Sequence, residues 1–137
     1  MSPLVWYRWL LLAPAIVVGI GAAFVVLALL GVPPQLMELL YLPGEPDVAG
    51  AETISFAVGV TGAVMVGWGV SMLYIYLDPA MLERPRIARA FLLATIAWFV
   101  LDTLVSIALG ALINVVGNCL FVGLLLPPLA VLSSWRG

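Results

Sequence analysis

The chain has 137 residues, of which 65% are hydrophobic and 9% are charged. Soluble domains carry about 25% charged residues, so this composition is typical of a membrane protein and excludes an ordinary soluble domain. The formal net charge is −2 and the sequence has no basic run, which argues against a nucleic acid as partner.

The first apolar run, from about residue 5 to residue 31, predicts a membrane-spanning helix. It is too long for the core of a signal peptide, so we expect it to be retained, with Pro14 distorting its first turns. The loop at 32–50 contains an apolar stretch at 35–42 around the lone Glu38. This pattern predicts a short helix that lies at the outer membrane interface.

The second predicted span, at about 53–77, carries no charge between Glu52 and Asp78. Small residues recur at every fourth position along it and form a small-residue ladder: Ser55, Gly59, Ala63, Gly67 and Ser71. Residues four apart share one face of a helix, and close backbone packing helps to hold helices together in lipid. We therefore expect the ladder to be a helix-packing face, either inside the bundle or against a neighbouring subunit.

Two further spans are predicted at about 87–109 and 112–132, joined by a tight turn at Gly110 and Ala111. Through this hairpin a second set of residues recurs at every fourth position: Asp102, Ser106, Gly110, Asn114 and Asn118. The fold class is thus predicted to be an all-α membrane protein. Residues 1–137 should form a single four-helix transmembrane bundle.

The turn at Gly110 relates the polar residues of the hairpin to one another. Asp102 lies as far before Gly110 as Asn118 lies after it, and Ser106 and Asn114 are placed in the same way. Each pair should therefore share one depth on antiparallel helices. Because an ionised, unpaired aspartate in lipid costs at least ~2.5 kcal/mol, we expect Asp102 to be protonated or hydrogen-bonded to Asn118.

These residues form a predicted intramembrane polar cluster, to which Thr103 is added as the neighbour of Asp102: Asp102, Thr103, Ser106, Asn114 and Asn118. Two interpretations of this cluster stay open. It is either a proton or cation site, or polar glue that holds two helices in register. Trp68 and Trp98 are predicted to lie at similar depth, away from the interfacial aromatics. They either line a slot for a quinone, a carotenoid or a lipid tail, or pack as ordinary core residues.

The distribution of arginine predicts the topology. All five arginines fall on one side of the four spans: Arg8, Arg84, Arg86, Arg89 and Arg136. The positive-inside rule makes that side cytoplasmic, with both termini inside the cell, in a bacterial inner membrane. So strong a bias argues against dual topology, and therefore against a small antiparallel multidrug exporter.

Several kinds of chemistry lack the residues they need. Histidine and lysine are absent, which removes the commonest haem ligand, the common proton shuttle and Schiff-base chemistry. Cys119 is the single cysteine, so neither an internal disulfide nor a redox thiol pair can form. We therefore expect no cofactor, no metal site and no catalytic residue.

The chain resembles the small bacterial four-helix membrane proteins of the DoxX-like sort. The resemblance rests on length, on the glycine-rich second span that ends at Asp78-Pro79, on the arginine-bearing loop and on the closing stretch at 98–121. It implies a compact four-helix bundle and transfers no site residues.

Two functions from different classes remain. The first is a non-catalytic accessory or structural subunit that packs in the lipid bilayer against a larger membrane complex of respiratory or photosynthetic type. The alternative is a small homo-oligomeric transporter or channel that uses Asp102. An enzyme acting on a lipid or quinone is the weakest reading, because the sequence shows no acid–base pair.

Overall fold

The computed structural model describes residues 3–33, 35–36, 48–78 and 84–134. Within these ranges it contains four long α-helices, which are in chain order α1 (Pro3–Leu30), α2 (Val48–Tyr76), α3 (Pro85–Ala108) and α4 (Leu112–Ser134). Each is long and apolar enough to cross a membrane. For the residues that the structure describes, this confirms the prediction of four helices that are long and apolar enough to span a membrane. Of the predicted interfacial helix, residues 37–42 lie outside the described residues.

Helices α1 and α2 approach each other backbone to backbone. A methyl group placed on Gly62 would lie 2.5 Å from the carbonyl oxygen of Gly21, and one on Gly21 would lie 2.7 Å from the carbonyl oxygen of Gly62. A methyl group on Gly69 would lie 2.9 Å from the carbonyl oxygen of Pro14 and 2.7 Å from a methyl of Val18. These glycines permit close packing, which in lipid takes over part of the role that apolar burial has in water.

Helices α3 and α4 form a hairpin whose turn depends on Gly110. Its φ is +73°, a left-handed conformation that glycine adopts without steric cost. The Ala111 N–H donates to the Ser106 carbonyl at 2.8 Å, and the Gly110 N–H donates to the Ile107 carbonyl at 3.1 Å. This pair of bonds is a Schellman motif, and it ends α3 just where the spacing of the polar residues requires a turn.

A tryptophan attaches α4 to α1. Pro128 lies inside α4 and has no N–H, so the carbonyl of Leu124, four residues earlier, lacks its usual partner within the helix. The Trp9 Nε1–H donates to that carbonyl at 2.9 Å. Pro128 thus leaves the Leu124 carbonyl without a helical partner, and the indole N–H of Trp9 on α1 takes its place.

The largest core cluster lies at one end of the bundle. It joins Leu10 of α1, Tyr76 of α2 and Leu129 of α4, and the Tyr76 ring lies 5.8 Å from that of Phe91 on α3. We call this the arginine end, because the exposed side chains of Arg8, Arg84, Arg86 and Arg89 belong to the same helix termini. The opposite end, which carries the α3–α4 turn, is called the hairpin end. There the two helix pairs are separated by a cavity.

Candidate functional site

The polar cluster is assembled around one carboxylate oxygen. The Asn118 amide donates to Asp102 Oδ2 at 2.6 Å, and the Asn114 amide donates to the same oxygen at 2.9 Å. The Asn114 amide also donates to the Ser106 hydroxyl at 2.8 Å. The structure therefore brings together both pairs that the spacing around Gly110 places at equal depth. Thr103 completes the cluster by accepting a bond of 3.3 Å from Asn118.

The hydrogen bonds within the cluster occupy the side-chain amide donors of Asn114 and Asn118. Both N–H groups of each asparagine donate to oxygens of α3, and the Ser106 hydroxyl donates to the Asp102 backbone carbonyl at 2.6 Å. The Oδ1 atoms of Asp102, Asn114 and Asn118 accept no hydrogen bond from the residues that the structure describes. The cluster therefore has satisfied amide donors and unused acceptors.

The cluster lies in the wall of a cavity of about 580 Å³ between the α1–α2 pair and the α3–α4 pair. Asp102, Asn114 and Asn118 supply polar lining, while Trp68 and Trp98 lie on the apolar part of the wall. A volume of this size falls within the range of small-molecule sites. The cavity therefore combines an apolar body with a small polar region on its wall.

Three aromatic rings lie side by side along this apolar wall, tilted or edge-to-face to one another. The ring centroids of Trp68 and Trp98 lie 5.6 Å apart, and those of Trp98 and Phe121 lie 6.3 Å apart in an edge-to-face arrangement. The three rings come from α2, α3 and α4, so they connect the two helix pairs. The tryptophans that the sequence places at similar depth are thus direct neighbours on the cavity wall.

The small-residue ladder does not stay within one interface. A methyl group on Gly59 would lie 3.0 Å from the Ala28 side chain of α1, whereas Gly67 has nothing within 4 Å. Ser55 is half-buried, and Ala63, Gly67 and Ser71 are exposed. Four residues turn a helix by about 400°, so each step of the ladder moves about 40° around α2. The ladder therefore starts beside α1 and ends on a face that this chain leaves uncovered.

The small-residue ladder does not include the glycines of closest α1–α2 approach. Gly62 and Gly69 are seven residues apart; α1 meets Gly62 at Gly21 and meets Gly69 at Pro14 and Val18. A spacing of seven keeps residues on one side of a helix more closely than a spacing of four, which is why left-handed helix pairs use it. The seven-residue spacing of Gly62 and Gly69 is therefore the signal by which the sequence could have identified this interface.

Other chemical groups lie apart from the cavity. Among the described residues, no three histidine, cysteine, aspartate or glutamate side chains come together as a metal site would require. Cys119 is exposed on α4. Arg89, the described arginine nearest to Asp102 along α3, is 13 residues away, which corresponds to ~20 Å of helix.

No family model, no curated protein and no solved structure matches this chain. Its function is therefore argued from its own geometry.

Proposed function

We propose that this chain is a non-catalytic integral membrane subunit that packs against a larger membrane protein complex of respiratory or photosynthetic type. The observation that carries the proposal is the exposed half of the small-residue ladder on α2, at Ala63, Gly67 and Ser71. The wider setting, a bacterial inner membrane with both termini in the cytoplasm, is proposed from the arginine distribution. The DoxX-like resemblance is compatible with it and stays a prediction.

The exposed part of the ladder has the properties of a helix-docking face. The empty space around Gly67 would admit a neighbouring helix as closely as Gly62 admits α1. The Ser71 hydroxyl donates to the Gly67 carbonyl at 2.8 Å, so its polar group is already satisfied within α2. Such a face needs neither water nor a polar partner, and close helix packing is the interaction that it favours.

The test is native mass spectrometry of the protein extracted gently from its own membrane, comparing Gly67→Leu with Gly123→Leu. Both glycines are exposed, helical and free of neighbours within 4 Å, but they lie on different helices. We expect the wild-type chain and Gly123→Leu to appear in one large assembly at fixed stoichiometry, and Gly67→Leu to be lost from it. A chain that is always found alone, or an assembly insensitive to Gly67→Leu, contradicts the proposal.

A second candidate is a small homo-oligomeric transporter or channel that uses Asp102. The observation that favours it is the position of this carboxylate on a cavity wall rather than inside a sealed contact. Intramembrane carboxylates often mark ion or substrate pathways. The expected results are a symmetric oligomer in native mass spectra and ion flux into liposomes that Asp102→Asn abolishes. Flux that survives this substitution would eliminate the candidate.

A further inference from the structure

The chemistry of the cavity at the hairpin end specifies a class of ligand. All four helices contribute to its lining, and residues on its rim are exposed, with Val64 64% and Val60 46% accessible. Since these residues lie within membrane-spanning helices, exposure there means contact with lipid. A molecule dissolved in the bilayer can therefore enter the cavity from the side.

The polar cluster on the cavity wall offers acceptors and so favours molecules that donate hydrogen bonds. The asparagine amides already donate to Asp102, Ser106 and Thr103, which leaves three Oδ1 acceptors unused within the described part of the chain. A ligand that offers acceptors alone, such as a ketone or a quinone, finds no free amide donor there. A ligand with N–H donors fits the unused acceptors.

An ionised Asp102 strengthens this selection. A carboxylate within a membrane is stabilised when it is paired with a cation. The described arginines are at the other end of the bundle, with Arg89 ~20 Å away along α3. A cation that pairs with Asp102 therefore has to come from outside these residues.

The aromatic wall suits a cation on an apolar body. Trp68, Trp98 and Phe121 line the same cavity as Asp102, and neighbouring rings lie 5.6 and 6.3 Å apart. Aromatic faces attract ammonium groups, tryptophan most strongly, and also cover apolar groups. One wall thus accommodates both parts of a lipophilic amine.

We infer that the cavity binds a lipophilic ammonium ion, a protonated amine on an apolar body. Its N–H groups donate to Asp102 and to the free amide oxygens of Asn114 and Asn118, and its apolar part lies along Trp68 and Trp98. This inference goes beyond the proposed docking role and does not rest on it, because the ligand binds to the isolated chain.

The test uses octylammonium as probe and the full chain in phosphatidylcholine nanodiscs, with empty nanodiscs as the blank. Binding is followed by calorimetry and by tryptophan fluorescence. Octanol is the neutral analogue, and octyltrimethylammonium is the charged analogue without N–H donors. We expect saturable 1:1 binding of octylammonium, at least tenfold tighter than that of either analogue. Equal binding of octanol, or no saturable binding, overturns the inference, and equal binding of octyltrimethylammonium overturns the role of the N–H donors.

Three variants locate the site. Asp102→Asn keeps the shape of the side chain and removes its charge, so octylammonium binding should weaken at least tenfold. Glu52→Gln is the matched control, because it removes one negative charge from an exposed position near the start of α2. Its binding should be unchanged, and an equal loss in both variants overturns the assignment.

If Asp102→Asn does not fold, Gly117→Leu tests whether octylammonium binds in the cavity. Gly117 lies on the cavity wall with nothing within 4 Å, so a leucine there fills the cavity and leaves the polar cluster in place. It should abolish octylammonium binding, and retained binding places the ligand elsewhere. Because the assay contains no partner protein, failure of ligand binding and failure of complex assembly are separate results.

Discussion

The two helix pairs of this protein are held together in opposite ways. Helices α1 and α2 make contact at glycines, which have no side chain. Gly21 and Gly62 each lie against the carbonyl oxygen of the other. Between α3 and α4 the contact is made by polar side chains, with Asp102 accepting from Asn114 and Asn118. Both arrangements replace apolar burial, which does not drive helices together in lipid. They differ in the substitutions they tolerate. The glycine contact is sensitive to the size of a new side chain, and the polar contact is sensitive to its polarity.

This difference also explains where the cavity lies. Backbone-to-backbone contact draws α1 and α2 together as one unit, and hydrogen bonds do the same for α3 and α4. The two units meet tightly at the arginine end, where Leu10, Met72 and Leu125 are almost fully buried. At the hairpin end the polar residues bond within their own pair and line the space that remains between the units.

Gly62→Leu should break the α1–α2 contact. Its side chain would start 2.5 Å from the Gly21 carbonyl oxygen, and backbone cannot move aside as a flexible side chain does. Overpacking costs about 1–3 kcal/mol and sometimes more, and we expect at least ~3 kcal/mol here. The measurement is reversible unfolding in detergent, followed by circular dichroism.

Gly67→Leu is the control on the same helix, because no atom lies within 4 Å of its added side chain. The isolated chain should not be destabilised, and the gain in helix propensity over glycine should stabilise it by up to ~1 kcal/mol. Equal destabilisation by the two variants would show that close approach at Gly62 is not what holds the pair.

Asp102→Ala should weaken the α3–α4 contact by removing the oxygen that accepts from Asn114 and Asn118. Hydrogen bonds between membrane helices average ~0.6 kcal/mol each, so the expected loss for the two bonds is about 1 kcal/mol. Unfolding in detergent measures it, with Ser71→Ala as control, because that hydroxyl bonds within its own helix. A variant as stable as the wild type contradicts the glue interpretation.

Gly110→Ala tests the turn that aligns the polar pairs. A residue with a Cβ at φ +73° costs roughly 1 kcal/mol relative to glycine. Gly123→Ala is the control within the same hairpin: it lies inside α4 with open space around it and should stabilise the chain by up to ~1 kcal/mol. Opposite signs in thermal unfolding are expected, and equal signs would refute the role of the turn.

Trp9→Phe should have the smallest effect, because it removes one hydrogen bond between the two units at a cost of ~0.6 kcal/mol. A double-mutant cycle with Pro128→Ala isolates the cause. In that background α4 regains an N–H for the Leu124 carbonyl, so loss of the indole donor should cost less. Additive effects of the two substitutions would show that Trp9 and Pro128 act independently.

Part of the site could be predicted because it depends on short-range geometry. Once Gly110 is the turn, the register of a hairpin follows from counting residues, and Asp102 must meet Asn118. The small-residue ladder could not be interpreted in this way. Residues four apart move gradually around α2, so Gly59 faces α1 while Gly67 faces outward. Sequence alone does not reveal at which residue of the ladder the contact with α1 ends.

Composition and residue spacing were enough to predict the four spans and the polar pairing of α3 with α4. Long apolar runs have few alternatives to membrane helices, and a turn at Gly110 leaves one register. The tertiary structure alone decided that Gly62 faces Gly21, that Trp9 reaches Leu124, and that a cavity opens beside Trp68. In lipid an apolar side chain is as stable against acyl chains as against another helix, so hydrophobicity does not tell one face from another.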